Sequence, residues 1–378
     1  MLFSEIVGLD EIKQALIRSA LSGKVAHAQL FAGSEGFGQL PLALAYAQYL
    51  NCTYKQPHDA CGKCSSCLQF HKLIHPDLHF IFPTTTTKRV THSEDVASFA
   101  FLPEWREFLF KNPYGSLAEW IDFLGVENKL CSITRNESRN IIKALSFKTF
   151  SAEYKIMLIW LPELMQTETA NAILKVLEEP SPQTVFLLVT NARDKVLPTI
   201  LSRTQVINVR PFSDEEIQQT LVKRFEIPLL QAQHAAFLAE GNLNEALKMV
   251  DNANAFHAEF FQQWMRYCFK ANFEALVNLT EQFAEQGRER QRNFFLYSLK
   301  IIRESMLARF GGEALLRLPH DSLTFVRNFS RFLSEKNIEE LIGLLNNSTY
   351  HIERNANPKM LFLNLSIQIN RLLNKTLE

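Results

Sequence analysis

Gly33-Ser34-Glu35-Gly36-Phe37-Gly38-Gln39-Leu40 has the length and the glycines of a phosphate-binding loop without its two working side chains. In such a loop, G-x-x-x-x-G-K-[ST], backbone N–H groups cradle phosphates, the lysine reaches the terminal phosphates and the hydroxyl holds Mg²⁺. Here Gln39 stands at the lysine position and Leu40 at the hydroxyl position. A neutral amide supplies no charge, and Leu cannot ligate a metal. The flanks still fit the motif: Gln29-Leu30-Phe31-Ala32 reads as a short strand entering the loop, and residues 42–47 open a helix that runs to about Leu50. At this point two readings stay open, a P-loop fold that has lost its nucleotide chemistry and an isolated glycine turn.

Upstream, residues 11–21 place Ile12, Ala15, Leu16 and Ser19 at helical spacing, with Gly23 to end the helix. Downstream comes Cys52-x8-Cys61-x2-Cys64-x2-Cys67. Four thiolates so spaced can converge on a tetrahedral zinc at about 2.3 Å per bond, and with no open position a structural site is expected. His58, His71 and His75 lie nearby and could stand in for Cys52, although surface histidines are the plainer reading. From Pro83 to Leu130 the pattern weakens: a polar Thr84-Thr85-Thr86-Thr87-Lys88-Arg89 loop is followed by short aromatic helices carrying Trp105, Phe108, Leu109, Trp120, Ile121 and Phe123. At helical spacing such residues are ordinarily core.

Beyond Ile133 the signal sharpens. A helix is expected over residues 137–145, a doubly buried strand over 154–161, a helix over 167–179 stopped by Pro180, a second buried strand over 184–190, and a short strand over 205–209 before Pro211. Strands alternating with helices imply a mostly parallel sheet covered on both faces. After Pro211 helix follows helix, beginning with the capping box Ser213 to Glu216, and residues 255–377 read as long amphipathic helices punctuated by Gly287, Gly311-Gly312 and Pro319. Arg288, Arg290, Arg292, Arg303 and Arg309 give this part a basic tint that a solvated face explains.

Composition narrows the classes. The 378 residues allow two or three domains, and 47% hydrophobic with 21% charged residues is ordinary for a soluble globular chain. Forty basic and forty acidic residues cancel, which argues against a chain that grips DNA by overall charge. Neither a run of 18 apolar residues nor a signal-peptide pattern is present, so a cytoplasmic protein with no membrane role is expected, and in a reducing compartment the cysteine cluster favours metal over disulfides.

Several further segments, in order along the chain, resemble the AAA+ clamp-loader subunits of bacterial DNA polymerase III, and within them the delta-prime branch. They are Phe3-Ser4-Glu5-Ile6-Val7-Gly8, His27-Ala28-Gln29-Leu30-Phe31-Ala32-Gly33, the four-cysteine module, His75-Pro76-Asp77-Leu78, Asn171-Ala172-Ile173-Leu174-Lys175-Val176-Leu177-Glu178-Glu179-Pro180 and Leu197-Pro198-Thr199-Ile200-Leu201-Ser202-Arg203-Thr204-Gln205. The resemblance implies an α/β AAA+ domain over residues 1–208, with a zinc module at 52–67 and an insertion at 83–132 to which the sequence assigns no role. It further implies a small helical lid over 209–252 and an all-α collar over 253–378 that joins a pentameric ring.

Residue by residue, the resemblance also implies losses. Gln39 and Leu40 replace the Walker A pair, Trp160 and Leu161 stand where Walker B carboxylates belong, with Glu163 two residues late, and Asn244 replaces the sensor-2 arginine. Phosphoryl transfer needs metal, a clamp on developing charge and an oriented water, so ATP is expected to be neither hydrolysed nor firmly bound. Arg203 matches an arginine that such subunits present to the ATP of a neighbour, against the plainer alternative of a helix cap or a local ion pair. The implied partners are gamma/tau-type ATPase subunits, the delta subunit, the sliding clamp and, through the complex, primed DNA. The rival expectations are an active gamma/tau-type ATPase and a zinc-dependent nucleic-acid-binding scaffold.

Overall fold

The computed structural model describes residues 1–126, 129–146, 149–150, 152–250, 255–312, 316 and 320–375. Its contacts divide the chain into two compact units, Met1–Ile217 with Glu240–Glu245, and Gln218–Ala239 with Ala246–Glu378. The expected lid–collar boundary at 252/253, Pro319 and Leu377 lie outside the described residues.

The first unit is built on a parallel five-stranded sheet. Its elements, in order, are α1 (Asp10–Leu21), β1 (Ala28–Ala32), α2 (Gln39–Leu50), α3 (Ser65–His71), β2 (Leu78–Ile81), α4 (Leu102–Lys111), α5 (Leu117–Phe123), α6 (Asn136–Ser146), β3 (Lys155–Trp160), α7 (Thr167–Glu178), β4 (Thr184–Thr190), α8 (Pro198–Leu201) and β5 (Gln205–Asn208). The strand order is β2-β3-β4-β1-β5. β4 sets Phe186 beside Ala28 and Lys155 beside Thr184, and β5 sets Gln205 beside Gln29. Every residue of β1, β3 and β4 is buried. Helices on both faces are the reason these strands read as continuous apolar runs instead of alternating ones.

On one face α6 and α7 bring Ile141, Leu145, Ile173 and Leu177 onto Met157, Ile159, Phe186 and Leu188. Each such side chain contributes about 1.5–3 kcal/mol on burial. α2 is buried along its whole length. α1 turns a slightly different face inward from the expected one: Lys13, Leu16 and Ile17 are buried and Ala15 is exposed. Lys13 is tolerated there because its ammonium donates to the carbonyl of Ile6 at 2.5 Å and pairs with Asp10 at 3.5 Å.

β2 is a strand the sequence did not announce. It is four residues long, carries His79 and, among the described residues, pairs only with β3, at the edge of the sheet. The chain leaves β1 for the far edge and returns through β3 and β4 before crossing to β5 on the other side of β1. A crevice at the carboxyl end of β1 is where such topologies bind ligands, and the glycine loop lies there.

α9 (Asp214–Phe225) opens with the expected capping box: Glu216 N–H donates to Ser213 Oγ at 3.2 Å and Ser213 N–H to Glu216 Oε2 at 2.8 Å. It is followed by α10 (Leu229–Ala239) and α11 (Leu243–Val250). The second unit continues with α12 (Ala255–Lys270), α13 (Phe273–Glu285), α14 (Arg288–Met306), α15 (His320–Phe329), α16 (Glu335–Glu353) and α17 (Pro358–Lys375). Its core is aromatic: Phe362 of α17 stacks on Trp264 at 4.7 Å and on Phe283 at 4.4 Å, and Trp264 Nε1 donates to Ser366 Oγ at 2.8 Å. Arg288 and Arg309, part of the basic tint, cap carbonyls of Ile352 and of Ser330 and Arg331.

Candidate functional site

The glycine loop keeps its path. Gly36 and Gly38 have φ of 77° and 91°, a region that side chains with a Cβ rarely adopt. At Gly36 a Cβ would also lie 1.8 Å from Asn242 Oδ1. The Gly36 carbonyl accepts from Leu243 N–H at 3.2 Å, so loop and α11 start are joined by main chain as well.

Within that path the chemistry is occupied by the protein itself. Gln39 folds back and donates its amide to Gly33 O at 2.7 Å, Ser34 O at 2.8 Å and Asn191 Oδ1 at 3.0 Å. The third residue of α2 is Pro41, which has no N–H, so one amide of the helix N-terminus that would face a phosphate is missing. That proline was in plain view in the sequence and is a further departure from the motif.

Glu163, the acid nearest the Walker B position, does not face the loop's open side. Its carboxylate accepts from Thr190 Oγ1 at 2.8 Å and from Asn191 N–H at 3.1 Å. Burial pushes its carboxyl upward, and those donors offset part of the rise. Glu163, Asn191, Gln39 and the loop carbonyls thus form one hydrogen-bonded chain within the protein. Leu161, buried, turns the chain at φ 58°.

The insertion closes the site. Trp160, 2% exposed at the end of β3, packs on Trp105 of α4 at 5.0 Å, which stacks on Phe82 at 4.3 Å and meets Trp120 of α5 edge-on at 5.2 Å. Trp120 Nε1 donates to Pro83 O at 2.8 Å. The α4–α5 turn, Pro113-Tyr114-Gly115, lines the space in front of the loop together with Gly38, Gln39 and Trp160, and the cavity left is about 10 Å³. That is room for about one water, whereas ligand pockets run to about 300–1,000 Å³. Asn244, at the sensor-2 position, is wholly buried and takes part in the closure, accepting from Asn112 and donating to Glu119 Oε2 at 2.6 Å. Trp105, Trp120, Phe108 and Leu109 are core as expected, while Ile121 and Phe123 are half-buried.

The cysteines converge. The four Sγ atoms of Cys52, Cys61, Cys64 and Cys67 all lie within 4.8 Å of one another, and all are free thiols. Cys61 and Cys67 are 3.9 Å apart, close to the roughly 3.8 Å that tetrahedral zinc with 2.3 Å bonds requires. Backbone N–H groups of Cys61, Cys64 and Cys67 point at Cys52, Cys61 and Cys64 sulfurs at 3.2, 3.3 and 3.4 Å. Burial opposes the Cys64 thiolate, but hydrogen bonds from the amides of Cys67 and Thr53 and from the Cys67 and Cys61 side chains together outweigh it and bring the thiol down to about 6. Among the described residues no histidine joins the group. His75 instead packs on Phe70 at 4.5 Å. The donor set fits a thiolate-binding metal and holds no open position.

Arg203, at the end of α8, is one-third exposed. It donates to Thr199 O at 2.9 Å and to Glu178 Oε1 at 2.5 Å. In the lone chain, therefore, the helix cap and the local ion pair are both made.

The profile of the family described as DNA polymerase III, delta subunit, matches residues 8–213, more than half of the chain. Subunit tau of DNA polymerase III from Bacillus subtilis is 21% identical over 95% of this chain and 60% of its own length. Subunit tau from Escherichia coli is 25% identical over 67% of this chain and 33% of its own length. The chain thus spans between a third and three-fifths of these two relatives. The solved DNA clamp loader delta protein of Bacillus subtilis aligns over 95% of this chain and 99% of its own, at 11% identity and a TM-score of 0.35.

Proposed function

The chain belongs to the family described as DNA polymerase III, delta subunit, and is a clamp-loader subunit of the AAA+ family; on that premise we propose that it is the non-hydrolysing, delta-prime-like member of its assembly. The observation that carries this reading is the cavity of about 10 Å³ in front of a glycine loop whose carbonyls are already bonded to Gln39. A nucleotide would have to displace Tyr114 and Trp160 and would then find no cation at Gln39 and no metal ligand at Leu40, Trp160 or Leu161.

The subunit's work is then done for its neighbours. In the proposed ring, with gamma/tau-type ATPase subunits and a delta subunit, Arg203 turns from Glu178 to the ATP of the adjacent subunit. A surface ion pair is worth at most about 1 kcal/mol, so the guanidinium is released at small cost. Residues 1–208 form the AAA+ domain, 209–252 the lid and 253–378 the collar that packs into the ring. Cys52, Cys61, Cys64 and Cys67 hold a structural zinc. The assembly loads the sliding clamp on primed DNA in the cytoplasm; among the described residues no helix is long and apolar enough to cross a membrane.

The test is reconstitution with the cognate ATPase subunits, comparing wild type with Arg203→Ala. Stimulated ATP turnover at the site Arg203 faces is expected to fall by about 10³–10⁵ with the ring still assembled, the range for fingers supplied in trans. Unchanged turnover in an assembled ring would end the finger assignment. The relatives named tau make an active ATPase the rival, and sustained Mg·ATP hydrolysis by this chain alone would decide for it.

A further inference from the structure

β2 has a free edge, and the edge lies at the floor of a groove. Asp77 O accepts from Ile156 N–H at 2.8 Å, which sets the alternation of the parallel ladder. His79 and Ile81 direct their main-chain groups at β3, and Leu78, Phe80 and Phe82 direct theirs away from it. The two ends of this outward row are closed: Leu78 N–H donates to His75 O at 3.0 Å, and Ser98 Oγ bonds both Phe82 N–H and Phe82 O, at 3.0 and 3.1 Å. The middle is open. Among the described residues no hydrogen bond reaches Leu78 O, Phe80 N–H or Phe80 O.

Unpaired edge groups are normally blunted by a charge, a proline or a covering segment. Here they face a groove of about 470 Å³, within the range of built ligand sites, walled by Ile141 and Ala144 of α6 and by Leu102 and Arg106 of α4. Phe99, 78% exposed, and Ile74, 48% exposed, stand along it as apolar contacts without a partner surface.

Two observations define the occupant's chemistry. His75, 3% exposed, borders the groove; its Nδ1 accepts from Asp77 N–H, and its Nε2, therefore the protonated nitrogen, is buried with no hydrogen-bond partner among the described residues. Of the groove's charged residues, Arg106 and the exposed Lys143 stand against one carboxyl, Glu137, which is buried and already accepts from Ser98 N–H, while burial pushes the His79 imidazole down and keeps it neutral.

We propose that this groove takes an extended acidic peptide as an added strand on β2. Its main chain pairs with Phe80 N–H, Phe80 O and Leu78 O, and its carboxylates meet Arg106 and Lys143. Main-chain pairing supplies affinity and the alternate side chains supply selectivity, as in other strand additions. With both ends of the row capped, the pairing is confined to the bridge around Phe80, so a short peptide suffices.

The probe is a fluorescein-labelled, capped pentapeptide of alternating glutamate and valine, titrated into the full-length, metal-replete protein and read by anisotropy. Saturable binding is expected, with slowed hydrogen exchange at the Phe80 amide. N-methylation of alternate peptide nitrogens should weaken it by about tenfold, the effect of roughly one net hydrogen bond. Lys143→Glu, at an exposed position, should weaken it comparably with an unchanged unfolding midpoint. Absence of saturation at millimolar peptide would overturn the proposal. So would equal binding of the N-methylated peptide, equal binding of a lysine-for-glutamate peptide, or full competition by free glutamate at the same concentration, which would make this a small-anion site.

Discussion

The glycine loop and the four-cysteine cluster are neighbours in the chain, one at each end of α2, and they retain opposite halves of their chemistry. The loop keeps its backbone, with strand, positive-φ turn and helix in place, and carries Gln39, Leu40 and Pro41 where reactive or donating groups belong. The cysteine cluster keeps all four side chains and has little regular structure beyond α3. A loop path is held by the packing of the elements it joins, so it does not depend on the side chains at Gln39 and Leu40. A segment with no core of its own depends on the bonds its side chains make.

The comparison can be broken first at the cysteines. Cys67→Ala is expected to have the largest effect: zinc should fall from about one per chain to well below it, and the cluster should lose several kcal/mol. Elemental analysis with amide exchange over residues 52–71 measures both. Full protection without metal would place the cluster in the same class as the loop.

Next is the plug. Trp120→Ala removes a fully buried ring bonded to Pro83 O, and should cost about 3–5 kcal/mol in denaturant unfolding. ATP affinity should stay undetectable, because opening space restores no charge. Tight Mg·ATP binding by this variant would mean that the insertion alone silences the site.

Gln39→Leu should cost about 1–3 kcal/mol, since Gly33 O, Ser34 O and Asn191 Oδ1 lose a common donor. Gln39→Lys supplies a donor and a charge, yet is expected to show no turnover while Leu40, Trp160 and Leu161 remain. Robust hydrolysis by that single variant would refute the view of the loop as scaffold.

The smallest effect concerns Glu163. Burial raises its carboxyl in the folded protein, so folding favours the protonated acid. That stabilisation is complete below the unfolded carboxylate value and is lost as pH rises through the raised folded value. Glu163→Gln imitates the protonated acid, so its unfolding midpoint should gain on wild type from about pH 4 to pH 7. Parallel curves would show a carboxylate that water reaches.

What the sequence disclosed follows from range. β3 and β4 are doubly buried apolar runs, and they appear within a residue of their expected bounds. The cysteine spacing is local, so its convergence was legible too. β2 escaped because four residues containing His79 at an edge carry no periodicity. The closure of the loop escaped for another reason: it is made by Tyr114, Trp160, Asn191 and Asn244, which meet only in the folded unit. A tryptophan at the end of a strand where an acid belongs, with Trp105 and Trp120 upstream, was the available signal. It could be recognised as a missing group, but not as a filling one.

The joining of Gly36 to Leu243 and of Asn112 and Glu119 to Asn244 has a consequence for synthesis. Every residue lining the space in front of the loop lies at or before Asn191 and so precedes β5, whereas the bonds that hold Gly36, Asn112 and Glu119 from behind come from the start of α11. Contacts this far apart in sequence close late because a long chain segment must be ordered before they form. The late-made part of this unit is therefore the clasp on the loop and not its wall: Leu243 N–H on Gly36 O and Asn244 on Asn112 and Glu119.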